Sequence, residues 1–598
     1  MTREEIADKD KWVLEDLVPD QASWERYVEE VKEKIKNIPS YAGKLTSSGK
    51  KLYEYLSLTK EVEQVIDRLI VYSGERLHED TRISANQAKY DLACNLIISY
   101  GEASAFDVPE ILTLTGEKLE EFYDECEELK LYQRYLSEIF RQKQHTLSQE
   151  MEKLLAGAGE VASASSDIFS MFNNADITFG AVDTPSGDKM QLTHGTYIAC
   201  LENKDRNFRE KVFKQYYNSY ISMKNTLAAM FSANIKQDNF FAKARKYAHE
   251  QDYALAMHLD KNNIPVSVYY SLIEAVHRHL PAMHRYMELR SKLLGLDKLH
   301  MYDLFVPVVE REDKEITFEQ AKETVKKALA PMGDEYLSIL QKGFDGGWID
   351  VYENEGKRSG AYSWSAYGTH PYVLLNHQNN LDGMFTLAHE MGHAIHSYYS
   401  MGNQPYVYSE YCIFVAEVAS TCNEALLTDY LLGHSIDEKE KMYVLTKQLD
   451  AFRTTVYRQT MFAEFELLAH RKVQEGEALT AESLSELYYE LNKLYYGDAV
   501  VSDEEIAMEW ARIPHFYTPF YVYQYATGYS AAVAFSEKIQ TEGKKAVDAY
   551  VDNFLKGGNR RDPIDLLAAA GVDMSSTAPV EQALMKFEQQ LKVFEQML

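Results

Sequence analysis

Residues 359 to 381 contain no Asp, Glu, Lys or Arg, in a chain of 598 residues of which 26% are charged. An uncharged run of that length suggests burial or the lining of a cleft. It reads as two short strands, SGAYSWSAYG and HPYVLLNH, joined by Gly and Thr. They lead straight into LDGMFTLAHEMGHAIHSYYS, where Asn380 or Asp382 can cap a helix. Within it Leu381, Phe385, Ala388, Ile395 and Tyr399 keep the three-to-four rhythm of a buried helical face. Any fold for this chain must therefore set a small sheet beside one helix that carries three histidines.

Elsewhere the periodicity is mostly helical. From about residue 21 to 173 apolar residues recur at three and four, as in SWERYVEEVKEKIKNI, and this half holds no cluster that could do chemistry. Near residue 176 the period changes, and ADITFGAV and KMQLTHG flank the turn-forming DTPSGD, which predicts a β-hairpin. Helices resume with NKDRNFREKVFKQYYNSY and continue to roughly residue 345. Gly and Pro are sparse, at 29 and 14 residues, and neither a repeat of about 20 to 50 residues nor a low-complexity tract is present. The fold class expected is mostly α.

The formal charge of −29 argues against nucleic acid, whose phosphates require a basic face. It is read as general surface solvation, with an anionic cleft for basic peptides as the alternative. The five cysteines, at 94, 126, 200, 412 and 422, form no C-x-x-C pair and suit a reducing compartment as inert buried residues. The start, MTREEIADKDKW, lacks an apolar signal core, and no segment supplies about 18 consecutive apolar residues. A soluble, cytoplasmic chain without membrane association is expected, and nothing in the sequence sets an oligomeric state.

On the histidine helix, His389 and His393 are four residues apart and share one face, where both imidazoles can reach a single ion. Glu390 follows the first, rotated by roughly 100°, so it can sit beside the ion and face a water. This is the H-E-x-x-H arrangement with glutamate as general base, and chance would supply only about 0.04 copies in a chain with 17 histidines. Zinc in a hydrolase takes three protein ligands. His396 lies about 10.5 Å along the helix from His389, whereas two nitrogens on one zinc ion stand about 3.4 Å apart. The metzincin spacing also fails, because His396 and Tyr399 stand where Gly and His are needed.

A second helix, in VYSEYCIFVAEVASTCNEALLTDYLL, repeats Glu410, Glu417 and Glu424 every seven residues among apolar neighbours. Carboxylates in that setting are costly unless paired or bound to metal. Glu417 is the expected third ligand, Glu424 an acceptor that orients an imidazole, and His396 a residue that packs near the site or supports it from behind the ligands. One zinc ion per chain is the cofactor expected.

Hydrolysis also needs donors for the tetrahedral oxyanion. The candidate segment is WARIPHFYTPFYVYQYATGYSAA, where Thr518 and Pro519 predict a helix start, with His515 and Tyr517 in the loop before it. Tyr521, Tyr525 and Tyr529 fall at intervals of four, either as an aromatic core stripe or as donors. The strand HPYVLLNH offers either an edge for an extended peptide or an internal strand beneath the histidine helix.

TLAHEMGHAIHS and FVAEVASTCNE closely resemble the metal motif and downstream segment of the thimet-oligopeptidase family of zinc metallopeptidases. SGAYSW, HPYVLLN and the hairpin segment are also similar to that family, firmly from about residue 200 to 585 and loosely before. The resemblance implies two helical lobes around a deep channel that admits short unstructured peptides, with a small β-sheet beside the zinc-binding helix. The expected division is an N-terminal helical region with a short β-hairpin, 1–200, and a zinc peptidase catalytic region, 201–598. The resemblance makes Glu417 the third zinc ligand and places His515, Tyr521 and Tyr525 against substrate and oxyanion, if one residue is inserted relative to the family pattern. The expected activity is zinc-dependent cleavage of internal peptide bonds with Glu390 as base. The alternatives are an exopeptidase of the H-E-x-x-H-plus-Glu type and a peptide-binding protein without turnover.

Overall fold

The first long helices show how local signals become structure. Helix Gln21–Asn37 starts where the Asp20 carboxylate accepts the Ser23 N–H at 2.7 Å, and it ends on Lys34 and Lys36, whose charge suits its carbonyl end. Its buried Trp24, Val28, Val31 and Ile35 share a core with Val62, Ile66 and Leu69 of the helix Gly49–Glu79. The computed structural model describes residues 1–247, 252–309, 315–434 and 437–598, and most of them are helical, as the composition predicts.

The chain folds into two compact units that interleave along the sequence. One comprises Met1–Thr146, Asp313–Tyr430 and Phe535–Gly571; the other comprises Leu147–Glu312, Leu431–Ala534 and Val572–Leu598.

In the first unit the uncharged stretch forms the two strands expected of it, Tyr362–Trp364 and Tyr372–Leu374, joined by a third, Ile349–Asp350. Tyr372–Leu374 lies in the middle, parallel to Ile349–Asp350 and antiparallel to Tyr362–Trp364. The strand within HPYVLLNH is therefore internal, and its backbone is committed on both sides; the reading that offered it as an edge for a peptide is corrected. Asp350, fully buried, is held by Arg3 at 2.6 Å and by Lys357 at 2.7 Å. Burial pulls the Lys357 ammonium below its ordinary pKa, against the pull of Asp350. Removing one partner of such a buried pair costs about 3–5 kcal/mol, so this pair anchors the sheet that precedes the histidine helix.

Two helices follow, Leu381–Asn403 and Ile413–His434. Glu410 lies ahead of the second one, beyond a 3-10 turn at Tyr406–Tyr408 that is tied down where Ser400 Oγ donates to the Ser409 carbonyl at 2.5 Å. Of the expected row of three glutamates, only Glu417 and Glu424 are helical.

The second unit contains the predicted hairpin, Ala181–Asp183 paired antiparallel with Lys189–Gln191. Its helices include Arg206–Ile221, Lys224–Ala244, Arg458–Gln474 and Ala481–Tyr496. Buried Glu509 accepts from Arg458 at 2.7 Å, Arg512 at 2.5 Å and the Tyr488 hydroxyl at 2.5 Å. Burial alone would raise its pKa, but the two arginines hold it at about 2. The helix expected from Thr518–Pro519 begins instead at Tyr523. Phe520 intervenes with φ of +54°, and its N–H donates to Glu466 Oε1 at 2.7 Å, which breaks any helical run there.

Candidate metal centre

The helix Leu381–Asn403 is capped by Asn380, whose side chain accepts the Gly383 N–H at 2.9 Å. Leu387, Ala388, Met391, Ala394 and Ile395 are fully buried, so the register of the helix is fixed, with His389 and His393 half-buried beside Glu417. The glutamate helix comes close because position 392 is glycine. A Cβ there would lie 2.5 Å from Ser420 Cα and 2.8 Å from the Ala419 carbonyl, which only a residue without a side chain tolerates. Asn423 then ties the two helices, donating to the Ala388 carbonyl at 3.1 Å while it accepts from the Tyr336 hydroxyl at 2.8 Å.

This packing brings three ligand atoms together. His389 Nε2 and His393 Nε2 are 3.2 Å apart, and Glu417 Oε2 lies 3.4 Å from each. Tetrahedral bonds of about 2.0–2.1 Å require ligand atoms about 3.3–3.4 Å apart, so this donor set has the spacing and chemistry of a zinc site. Its electrostatics agree. Burial alone would lower the His389 pKa, but hydrogen bonds to Glu417 and Glu424 push it up to about 10. Glu417 is held well below the usual carboxylate range by both histidines, against the effect of burial. The carboxylates around these rings call for positive charge, which a divalent cation supplies.

Glu424 Oε1 lies 2.6 Å from His389 Nδ1, which fixes the tautomer that leaves Nε2 free to ligate. Glu390 is buried, and its Oε2 has no hydrogen-bond partner among the described residues. Burial raises its carboxyl above the ordinary range, with the two histidines acting in opposition. His396 is fully buried and lies flat on Tyr411, with ring centroids 3.8 Å apart and planes at 6°, and Phe554 at 4.7 Å. Neither of its ring nitrogens has a hydrogen-bond partner among the described residues. Burial, then the charge of His393, pushes its pKa down to about 3, so it is a neutral packing ring.

The other expected group belongs to the second unit. His515 sits on the turn Pro514–Tyr517, Tyr521 follows Phe520, and Tyr525 lies in the first turn of Tyr523–Glu542. The His515 and Tyr521 rings are nearly parallel, at 4° and 5.9 Å, and Tyr525 is perpendicular to both. The Tyr525 hydroxyl stands 3.4 Å from His515 Nε2. Burial and then Arg458 lower the His515 pKa, which favours a neutral imidazole. Tyr529 departs from this group, since it is buried against Phe452 and its hydroxyl accepts from Gln448 at 3.0 Å. Tyr517 stacks on the buried Phe169, with ring centroids 4.2 Å apart.

Sequence reasoning missed Gly392, Asn423 and Glu466. The signal for Gly392 was a glycine inside a strong helical pattern, which often marks a close backbone approach.

The family described as peptidase family M3 matches residues 199–586, and the one described as oligopeptidase F matches residues 110–179. The chain is 49% identical over 596 residues to oligopeptidase PepF of Bacillus subtilis (strain 168), covering 100% of this chain and 88% of the relative. A solved structure from Chlamydophila abortus aligns with a TM-score of 0.93 at 33% identity and covers 100% of both chains. That of oligoendopeptidase-F from Enterococcus faecium aligns with a TM-score of 0.76 at 39% identity, covering 96% of this chain and 98% of the other.

Proposed function

The chain belongs to peptidase family M3 and is a metalloendopeptidase of short peptides; from that premise we propose that one zinc ion is held by His389, His393 and Glu417. The observation that carries this reading is the convergence of the three ligand atoms within 3.2 to 3.4 Å. A zinc ion bound there would polarise a water and the scissile carbonyl, the Lewis-acid chemistry that peptide hydrolysis needs.

The chain's own residues do the rest. Glu390 accepts a proton from the attacking water and passes it to the leaving amine, and its buried carboxyl is a stronger base than an exposed one. Glu424 holds the His389 ring by its Nδ1–H. His515, Tyr521 and Tyr525 donate to the oxyanion, a role supported by the family resemblance and by their mutual clustering. His396 packs behind the ligands without bonding to them.

The division into an N-terminal region, 1–200, and a catalytic region, 201–598, belongs to this proposal, supported by the family match over 199–586. So does a family-type channel limiting substrates to short unstructured peptides. No helix among the described residues is long and apolar enough to cross a membrane, and a cytoplasmic location is proposed from the five free cysteines.

The test is mass spectrometry of a peptide mixture incubated with and without chelator. Internal cleavage that the chelator abolishes supports the proposal. Trimming from the ends alone indicates an exopeptidase, and peptides bound but uncut indicate a binding protein.

A further inference from the structure

Phe520 has a backbone conformation that its side chain does not favour. Its φ of +54° lies in the left-handed region, where a bulky residue is strained and persists only if its surroundings hold it. Here they do. The ring is 2% exposed and stands 4.6 Å from His470, 5.8 Å from Tyr269 and 5.9 Å from His258. Tyr269 is itself fixed, its hydroxyl donating to the Ala463 carbonyl at 2.7 Å. The Phe520 N–H donates to Glu466 Oε1 at 2.7 Å, a buried bond made from the middle of helix Arg458–Gln474.

Glu466 is a costly residue to keep in that place. It is 1% exposed, and its Oε2 has no hydrogen-bond partner among the described residues. Burial raises its pKa well above the ordinary value, with the Phe520 bond opposing and Asp238 reinforcing the shift. A carboxyl whose charged form is disfavoured by burial, spending one oxygen on one backbone amide, points to a requirement at the amide. The next residue is Tyr521, whose ring lies parallel to that of His515.

We propose that Glu466 is a positioning residue for the His515, Tyr521 and Tyr525 cluster: by accepting the Phe520 N–H it holds the left-handed turn that sets Tyr521 against His515. This rests on the reading of that cluster as donors to the reacting peptide. Glu466 acts through the backbone at 520.

The experiment uses the full zinc-loaded chain and three variants, Glu466→Leu, Glu466→Gln and His515→Ala, with kcat and KM measured on one internally quenched peptide. Glu466→Leu removes the acceptor and is expected to lower kcat about tenfold or more, with KM within about twofold. Glu466→Gln keeps an acceptor oxygen and should stay within about threefold of the parent. Hydrogen exchange at the Phe520 amide reports the turn independently of catalysis: slow in the parent and in Glu466→Gln, fast in Glu466→Leu. Parent-like kcat in Glu466→Leu, with His515→Ala impaired, overturns the role of Glu466 and leaves the donor reading standing. Parent-like kcat in His515→Ala overturns the donor reading and this inference with it. Should Glu466→Leu not fold, the parent and Glu466→Gln decide: fast exchange at Phe520 in the parent, or a Glu466→Gln variant impaired more than about tenfold, overturns the inference.

Discussion

Gly392 and Ser420 meet backbone against backbone: a Cβ on Gly392 would stand 2.5 Å from the Ser420 Cα. Two of the three proposed ligands lie on the helix on one side of this contact and the third on the helix on the other, so the contact sets the distance between His389, His393 and Glu417. Gly392→Ala is expected to push the helices apart, weakening zinc binding by about 10- to 100-fold and costing about 1–3 kcal/mol of stability. Chelator competition and urea unfolding check both, and unchanged zinc affinity would contradict the account.

The 2.6 Å contact between Glu424 and His389 predicts a separate loss. Glu424→Ala removes the acceptor that fixes the imidazole, and zinc affinity should fall about 10- to 100-fold, while Glu424→Gln retains an acceptor and loses less. Equal affinities for parent and Glu424→Ala, in the same competition assay, would remove Glu424 from the site.

His396 and Glu417 should behave in opposite ways. Glu417→Ala is expected to lose zinc, and His396→Phe to keep it, because the His396 ring stacks and bonds to nothing among the described residues. A pH effect accompanies this. With a folded pKa of about 3, His396 refuses a proton that the unfolded chain takes up near its ordinary value of about 6.5. Its stabilising contribution is present above that value and is lost as pH falls toward 3, at up to about 1.4 kcal/mol per pH unit. In zinc-stripped protein, His396→Phe should therefore lose less stability than the parent between about pH 7 and pH 5. Identical losses in urea unfolding would contradict the neutral, buried imidazole.

The two helical tyrosines of the second unit should also separate. Tyr525→Phe removes a hydroxyl 3.4 Å from His515 and is expected to lower kcat by about 10²-fold if it aims at the oxyanion. Tyr529→Phe removes a buried partner of Gln448, and its cost should appear in stability, about 1–3 kcal/mol, with kcat retained. Steady-state kinetics beside thermal unfolding distinguishes them, and a reversed pattern would reassign the pair.

Much of the first unit was legible because its signals are local. The four-residue spacing of His389 and His393 needs only helical periodicity, and a glutamate amid Phe414, Val415 and Val418 needs only the cost of burying charge. The uncharged run before them likewise became buried strand at Tyr372–Leu374. What was not legible depends on distant partners. Thr518–Pro519 is a sound helix start on local chemistry, yet Glu466, 54 residues away, captures the Phe520 amide and delays the helix to Tyr523. The spacing of Glu410 matches a helix that the chain does not extend so far back. Asn423 looks ordinary in sequence, and only the crossing of two helices shows what it ties.

The proposed mechanism makes the buried Glu390 the base beside a metal held by His389, His393 and Glu417. Glu390→Gln keeps the size and polarity of the side chain and removes its basicity, so zinc content by metal analysis should match the parent while peptide cleavage falls by about 10²- to 10⁴-fold. Full zinc occupancy with lost turnover is the predicted result; cleavage at the parent rate with zinc bound would contradict the mechanism.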